Sequence, residues 1–146
     1  MSAVEENQRI LQTLKGVDFF SKLNMGDLEQ LLMSLKRASF PKGHAIIKEG
    51  EIGDTFYMIS RGKVSVWKKK GFFSKDRLAT LGPSQFFGEM ALVTNDPRGA
   101  TVIADEDAEL FVLYKKEFKQ LLLNNPEIEK QVKEVLQTRK LKNKLR

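Results

Sequence analysis

The stretch FFGEMALVTNDPRGAT, residues 86–101, decides the fold of this 146-residue chain. Residues 89–93 favour a single helical turn, and Pro97 stops it because the residue before a proline avoids helical dihedrals. We predict that a strand ends before Gly88, that one helical turn and a loop follow, and that a new strand begins at Thr101. This segment is therefore neither a core strand nor a long helix.

The same stretch carries groups that suit a sugar phosphate. The start of a helical turn presents backbone N–H groups and the positive end of a peptide dipole, which attract anions. Arg98 adds a planar cation that matches phosphate oxygens, and Gly99 and Ala100 let a ligand approach the backbone. The Glu89 carboxylate can accept hydrogen bonds from ribose hydroxyls, so the pattern predicts a nucleotide whose phosphate lies near its ribose. The alternative is a surface ion pair between Glu89 and Arg98 in a plain turn.

Two blocks of the stretch resemble the phosphate-binding cassette of cyclic nucleotide-binding domains. They are Phe87-Gly88-Glu89-Met90-Ala91-Leu92 and Pro97-Arg98-Gly99-Ala100-Thr101. The resemblance implies that Glu89 binds the ribose 2′-hydroxyl and that Arg98 binds the cyclic phosphate. It also implies that backbone N–H groups complete the cradle, and these belong to Gly88, Glu89, Met90, Ala91, Gly99 and Ala100.

A second motif supports the same resemblance, which extends over residues 19–123. Residues 49–62, EGEIGDTFYMISRG, are similar to a recurrent Gly-x-x-Gly-Asp-x-Phe-Tyr-x-Ile pattern of the family. We interpret its glycines, Gly50, Gly53 and Gly62, as turn residues with positive φ that belong to the scaffold and do not contact the ligand.

Short apolar segments separated by glycine-bearing turns follow one another from residue 38 onward. Many short strands at regular spacing indicate a sandwich or barrel with room for about eight strands. We predict a mainly β fold, an eight-stranded jelly-roll β-sandwich flanked by N-terminal and C-terminal α-helices. The predicted parts are an N-terminal helical segment (1–37), a jelly-roll core (38–113) that contains the cassette (86–101), and C-terminal helices (114–146).

The flanking segments have helical spacing. In the first helix Val4, Leu11 and Leu14 share one face, and in the second Asn24 is a predicted N-cap, with Met25 and Met33 as packing residues. Pro126 is predicted as the first residue of the last helix.

The resemblance implies that the N-terminal helices move against the β-domain on ligand binding and that the last helix closes over the base as a lid. The candidates to meet the base are Val132, Val135, Leu136 and Arg139. The alternative for this apolar face is dimerisation or docking on the β-domain.

The net charge of +6 is concentrated in the C-terminal tail. A basic helix end can bind nucleic acid or an anionic membrane surface, but a solvated face with cations at a helix C-terminus is the interpretation we adopt. Lys68, Lys69 and Lys70 lie near Phe72 and Phe73. We interpret this second basic segment as a hairpin with a solvated basic edge rather than as a nucleic-acid patch.

Several function classes lack the residues they need. Without cysteine the chain has no disulfide or thiolate zinc site, and His44 is the only histidine, so we expect no metal site, no cofactor and no catalysis. No apolar run approaches the roughly 20 residues of a membrane span, and no signal peptide is evident, so we expect a cytoplasmic protein. The sequence is compatible with a stand-alone sensor or with one domain of a larger protein.

The predicted function is that of a cyclic nucleotide receptor domain in signalling, which regulates an unknown protein effector as a monomer or dimer. The predicted ligand is cyclic AMP, preferred over cyclic GMP with low selectivity, so that cyclic GMP is a second candidate. Family members selective for cyclic GMP often carry threonine after the cassette arginine, whereas this chain has Gly99, which also departs from the commoner alanine and is expected to loosen the loop. The alternatives are a ligand-free interaction module of the same fold, and a nucleic-acid or membrane-surface binder that uses the basic tail.

Overall fold

The computed structural model describes residues 2–144, with the side chains of Phe19 and of residues 139–144 outside the description. These residues form eight strands and four α-helices, so the prediction of a mainly β sandwich with flanking helices is confirmed. The chain divides into a helical unit, residues 1–34 with 117–146, and a β unit, residues 35–116. Among the described residues, no helix combines the length and the apolar character that a membrane crossing requires.

Two four-stranded antiparallel sheets form the β unit. One has the order β1-β8-β3-β6 and the other the order β2-β7-β4-β5. The strands are β1 (Lys36–Phe40), β2 (Ala45–Ile47), β3 (Thr55–Arg61), β4 (Val64–Lys70), β5 (Ser74–Leu81), β6 (Phe86–Phe87), β7 (Thr101–Ala104) and β8 (Ala108–Tyr114).

The core of the β unit contains side chains from both sheets. Ile59 and Leu110 come from the first sheet, and Val64 and Val102 from the second, and each is at most 2% exposed. Burying an aliphatic side chain of this size contributes roughly 1.5–3 kcal/mol. The core therefore fixes the strands from which the loops of the cassette emerge.

The cassette follows the predicted course. After β6, Gly88 adopts a left-handed conformation with φ of 78°, and a 3₁₀ helix, Glu89–Leu92, follows. The loop of residues 93–97, which we call the cassette loop, then leads towards β7. Glycine takes positive φ at little cost, which allows the backbone to turn directly from β6 into the 3₁₀ helix.

The helical unit contains α1 (Ala3–Lys15), α2 (Met25–Ser34), most of α3 (Lys115–Leu123) and α4 (Pro126–Lys144). Two predicted helix starts are confirmed: Asn24 Oδ1 accepts a 2.9 Å hydrogen bond from the Asp27 N–H, and Pro126 begins α4. Phe20 and Phe118 are fully buried here, with an edge-to-face contact of 5.4 Å between ring centroids.

Two predicted packing residues of α2 are exposed, so that part of the prediction is wrong. Met25 and Met33 are 48% and 87% exposed. In α2 the buried residues are Leu28 and Leu31, and Met33 lies two residues beyond Leu31, about 200° around the helix and away from the packed face.

Candidate functional site

A cavity of about 460 Å³ opens beside the 3₁₀ helix in the β unit. This volume lies within the range of roughly 300–1,000 Å³ that is usual for small-molecule sites. It is lined by all seven residues predicted from the sequence to bind the ligand, namely Gly88, Glu89, Met90, Ala91, Arg98, Gly99 and Ala100. The sequence did not predict the apolar part of the lining, which includes Ile47, Val66 and Val102 and which we call the apolar wall.

Arg98 is held at the cavity wall by its backbone and by its guanidinium. Its backbone N–H donates to the Glu51 carbonyl at 2.7 Å, and its carbonyl accepts from the Gly50 N–H at 2.8 Å. Its Nη1 donates to the Gly88 carbonyl at 3.2 Å, and its Nη2 donates to the buried Thr55 carbonyl at 2.8 Å. A guanidinium has five N–H donors, so these two contacts fix its plane and leave three donors for an anion.

Two glycines make room for this guanidinium. A methyl group at Gly53 would overlap the Arg98 guanidinium, and one at Gly88 would lie 2.9 Å from Arg98 Nη1 and 3.1 Å from the Thr55 carbonyl. We call this arrangement the glycine seat of Arg98. It places a rigid cationic fork beside the cavity.

The interpretation of Gly53 as a positive-φ turn residue is wrong. Gly50 and Gly62 do have positive φ, of 88° and 91°, but Gly53 is not among the residues in that region. Its small size is required because Arg98 passes over it, so one glycine of the Gly-x-x-Gly motif belongs to the site rather than only to the scaffold. No sequence pattern links Gly53 to Arg98, since the two residues meet only in the folded sandwich.

The charge of Arg98 is partly desolvated. Burial lowers the pKa of the guanidinium, while Tyr57, Asp54 and Glu89 raise it in part. Burial also raises the pKa of the Tyr57 hydroxyl, so this group is neutral at neutral pH. At that pH the Asp54 and Glu89 carboxylates are therefore the groups that counteract the effect of burial on the pKa of Arg98. Arginine remains protonated in proteins, and a cation that has lost part of its hydration gains from an anionic ligand.

Glu89 is the first residue of the 3₁₀ helix, and it is half-buried at the cavity. The preceding Gly88 carbonyl accepts from Arg98 Nη1 and from the Ala91 N–H, each at 3.2 Å. The Ala91 N–H is therefore engaged within the 3₁₀ turn, although it was predicted as part of the phosphate cradle. The cradle role of the remaining backbone groups stays a prediction.

Lys115 ties the cassette loop to the start of α3, which the sequence reasoning missed. Its Nζ donates to the Thr94 carbonyl at 2.9 Å and to Asn95 Oδ1 at 2.6 Å. Its backbone N–H donates to the Asp54 carbonyl at 2.8 Å, next to Thr55. A lysine that follows a strand has no pattern that identifies such a partner, because the cassette loop lies far away in sequence.

The predicted lid residues all belong to α4 in the helical unit. Val132 is 3% exposed, Val135 and Leu136 are half-buried, and the side chain of Arg139 lies outside the described residues. Their contact with a base stays a prediction. Within the part of the chain that the structure describes, no group of three His, Cys, Asp or Glu residues is placed to hold a metal ion.

Known proteins are similar to this chain in sequence and in fold. A cyclic nucleotide-gated potassium channel of Rhizobium etli is 37% identical over 117 residues, which cover 80% of this chain and 31% of the channel. The cyclic AMP receptor protein of Thermus thermophilus is 31% identical over 113 residues, which cover 77% of this chain and 52% of that protein. The solved structure of cAMP-bound PfPKA-R superposes with a TM-score of 0.76 at 30% identity, covering 83% of this chain and 43% of that one.

The chain spans between about a third and about half of the length of these proteins. The family model described as the cyclic nucleotide-binding domain matches residues 37–125, which is more than half of the chain. This match includes all eight residues that form the glycine seat and the predicted ligand site, Gly53 together with the seven that line the cavity. The chain therefore belongs to the cyclic nucleotide-binding domain family.

Proposed function

We propose that this domain is a receptor for cyclic AMP, in preference to cyclic GMP, which transmits ligand binding to a protein effector in the cytoplasm. One observation carries the proposal: the Arg98 guanidinium, fixed on its glycine seat, lines the same cavity as the Glu89 carboxylate. A cationic fork and a hydrogen-bond acceptor at one small cavity match the cyclic phosphate and the ribose hydroxyl of one ligand.

The roles of the two charged residues follow from their surroundings. Arg98 uses its remaining donors on the exocyclic oxygens of the phosphate, where its partial desolvation strengthens the attraction. Glu89 accepts from the ribose 2′-hydroxyl, and backbone groups of residues 88–90 and 99–100 complete the cradle. The apolar wall of Ile47, Val66 and Val102 covers the uncharged part of the ligand.

The preference for cyclic AMP rests on Gly99. This residue follows Arg98 at the cavity and offers no hydroxyl for the amino group of guanine. A Cβ atom added at Gly99 would meet no atom within 4 Å, and the φ of Gly99 is not in the left-handed region. The variant Gly99→Thr is therefore expected to fold normally and to gain affinity for cyclic GMP more than for cyclic AMP.

The proposed output is a population shift of the helices. Ligand favours a state in which the cassette is tightened and α4 covers the base, and the shift is limited by the difference in ligand affinity between the two states. Among the predicted lid residues whose side chains are described, Val135 and Leu136 are partly exposed, whereas Val132 is buried. We therefore propose Val135 and Leu136 as the first positions to test for contact with the base.

Calorimetric titration tests this function after the protein has been unfolded and refolded to remove carried-over ligand. We expect one-site binding that is tighter for cyclic AMP, and Arg98→Ala should weaken it by about 2–5 kcal/mol, the range for removing one partner of a desolvated charge pair. Arg61→Ala, at an exposed arginine in β3, is the matched control. Less than a threefold effect of Arg98→Ala would contradict the assigned role.

A ligand that lacks one hydroxyl isolates the role of Glu89. Glu89→Gln should weaken cyclic AMP binding, but it should have little further effect on 2′-deoxy cyclic AMP, because the hydrogen-bonding partner is already missing. Glu109→Gln, at an exposed position of β8, is the control. Equal losses with both ligands would show that Glu89 acts on the fold of the cassette and not on the ribose. Absence of any binding would favour the ligand-free interaction module.

A further inference from the structure

The turn between β4 and β5 carries two phenylalanines that do not pack on the protein. Phe72 is 98% exposed and Phe73 is 102% exposed, and their ring centroids lie 6.4 Å apart. Single exposed apolar residues are common, but two adjacent aromatic rings at full exposure form a patch that marks an interaction site. We call residues 68–75 the hairpin tip.

Lysines surround the two phenylalanines of the hairpin tip, Phe72 and Phe73, which we call the apex. Lys68, Lys69 and Lys70 lead into the turn and Lys75 leads out of it, and all four are exposed. Because side chains of a strand alternate between its faces, the three consecutive lysines of β4 place cations on both faces of the hairpin. Lys69 also lies opposite Lys75 in the strand pairing, so like charges are kept adjacent.

Two carboxylates border the hairpin tip without cancelling this charge. Asp76 lies opposite Lys68 in the strand pairing, and Glu49 accepts a 2.9 Å hydrogen bond from the backbone N–H of Lys69. The Lys75 ammonium lies 4.9 Å from the centre of the Trp67 ring, at the base of the apex. The apex itself therefore has aromatic rings at its end and an excess of cations immediately behind them.

This order of groups matches the boundary of an anionic bilayer. Aromatic side chains partition to the headgroup level, while lysines extend their ammonium groups towards phosphates on flexible stems. A single-stranded nucleic acid instead requires aromatic platforms along a cationic groove, and a narrow convex turn offers none. A second copy of this chain would bring the same lysines together and repel.

We propose that the hairpin tip docks on an anionic membrane surface, with Phe72 and Phe73 inserted among the headgroups and the four lysines bound to lipid phosphates. None of these residues lines the cyclic nucleotide cavity, so the proposal does not depend on the proposed function. Docking here would leave the cassette free to bind its ligand.

Vesicle binding tests the proposal, with Trp67, the only tryptophan of the chain, as the donor for energy transfer to a dansyl-labelled lipid. The wild-type protein should bind phosphatidylcholine vesicles that contain phosphatidylglycerol and should not bind phosphatidylcholine alone. The variant F72S/F73S should bind at least tenfold more weakly. The variant K68Q/K69Q/K70Q should bind on the order of 100-fold more weakly, and added salt should weaken the wild-type protein.

Two controls match these changes elsewhere in the chain. K140Q/K142Q/K144Q removes the same charge from the C-terminal tail, and Met33→Ser removes an exposed apolar side chain from α2. Both should stay within threefold of the wild-type protein. The hairpin-tip variants and Met33→Ser should keep their melting temperature and their affinity for cyclic AMP, because the substituted side chains are exposed.

Three results would overturn the proposal. The first is no binding of the wild-type protein to anionic vesicles. The second is a loss in the tail variant that equals the loss in the lysine variant while F72S/F73S is unaffected, which would assign binding to the basic tail. The third is tighter binding to a single-stranded DNA oligonucleotide than to vesicles, lost in F72S/F73S, which would identify the apex as a nucleic-acid site.

Discussion

The substitution Gly53→Ala tests whether the glycine seat positions Arg98 for the ligand. An added methyl group at this position overlaps the Arg98 guanidinium, whose hydrogen bonds to the Gly88 and Thr55 carbonyls define its position. The overlapped atoms are the far end of a flexible side chain, so the guanidinium can swing away while the backbone stays in place. We therefore expect a folded protein whose Arg98 no longer sits at the cavity.

The magnitude follows from the two hydrogen bonds that Arg98 would lose. Hydrogen bonds to charged groups contribute roughly 1.5–3 kcal/mol each. The displaced guanidinium reaches the phosphate only by moving back against the methyl group, so cyclic AMP affinity should fall by about 2 kcal/mol, or roughly 30-fold, the lower end of the range expected for Arg98→Ala. The free energy of unfolding should fall by about 2–5 kcal/mol, because the two lost hydrogen bonds outweigh the roughly 0.4–1 kcal/mol gained when alanine restricts the unfolded chain relative to glycine.

Calorimetric titration and thermal unfolding measure the two quantities on the same samples. Gly82→Ala is the matched control, because a methyl group there meets no atom within 4 Å and its φ is not in the left-handed region. The double variant Gly53→Ala/Arg98→Ala completes a double-mutant cycle with the two single variants. It should bind no more weakly than Arg98→Ala alone, since the methyl group then has no guanidinium to displace.

Three results would refute this reasoning. Binding of Gly53→Ala within threefold of the wild-type protein would show that the glycine seat does not position Arg98. A further large loss in the double variant would show that Gly53 affects the ligand by another route. A variant that does not fold would show that the methyl group meets the backbone and not a movable side chain.

Two further predictions concern residues around the site. Lys115→Met removes the ammonium that holds the cassette loop and should weaken cyclic AMP binding by roughly 3- to 10-fold. Calorimetric titration measures this effect, with Lys116→Met, at the exposed next residue, as the control. Equal effects of the two substitutions would contradict the role of Lys115. Burial raises the pKa of the Tyr57 hydroxyl in the folded protein above its ordinary value near 10. The neutral hydroxyl therefore contributes fully to the free energy of unfolding below about pH 10, and this contribution is lost as the pH rises through the pKa of Tyr57 in the folded protein. Denaturant titrations from about pH 9 to about pH 11 should show a smaller loss of stability in Tyr57→Phe than in Tyr114→Phe, and equal losses in the two would contradict the assignment.

Interactions between neighbours in the chain were predictable from the sequence. The cap formed by Asn24, the start of α4 at Pro126 and the turn that begins at Gly88 all depend on side chains or dihedrals within a few residues. The succession of short apolar segments separated by glycine-bearing turns also indicated a sandwich, because many short strands at regular spacing are typical of that fold. The two charged residues that resembled a ligand site do line one cavity.

Contacts between distant segments were not predictable, and several of them define the site. Gly53 carries no side chain to signal its role, and its reason is the guanidinium of Arg98, which reaches it only when the loop before β3 meets the cassette. Lys115 and the cassette loop are joined in the same way. On α2 the periodicity did not show which side faces a neighbour, so Met33 was assigned to packing although it is exposed.

The sequence by itself indicated the family, the strand-rich architecture and the two charged residues that we propose for the phosphate and the ribose, because each depends on a local pattern of residue types. Only the tertiary structure decided where the Arg98 guanidinium lies, why Gly53 has no side chain, and that Phe72 and Phe73 lie exposed beyond the sheet. The physical reason is that these features depend on the packing of one segment against another, and the energy of such contacts exists only when the chain has folded.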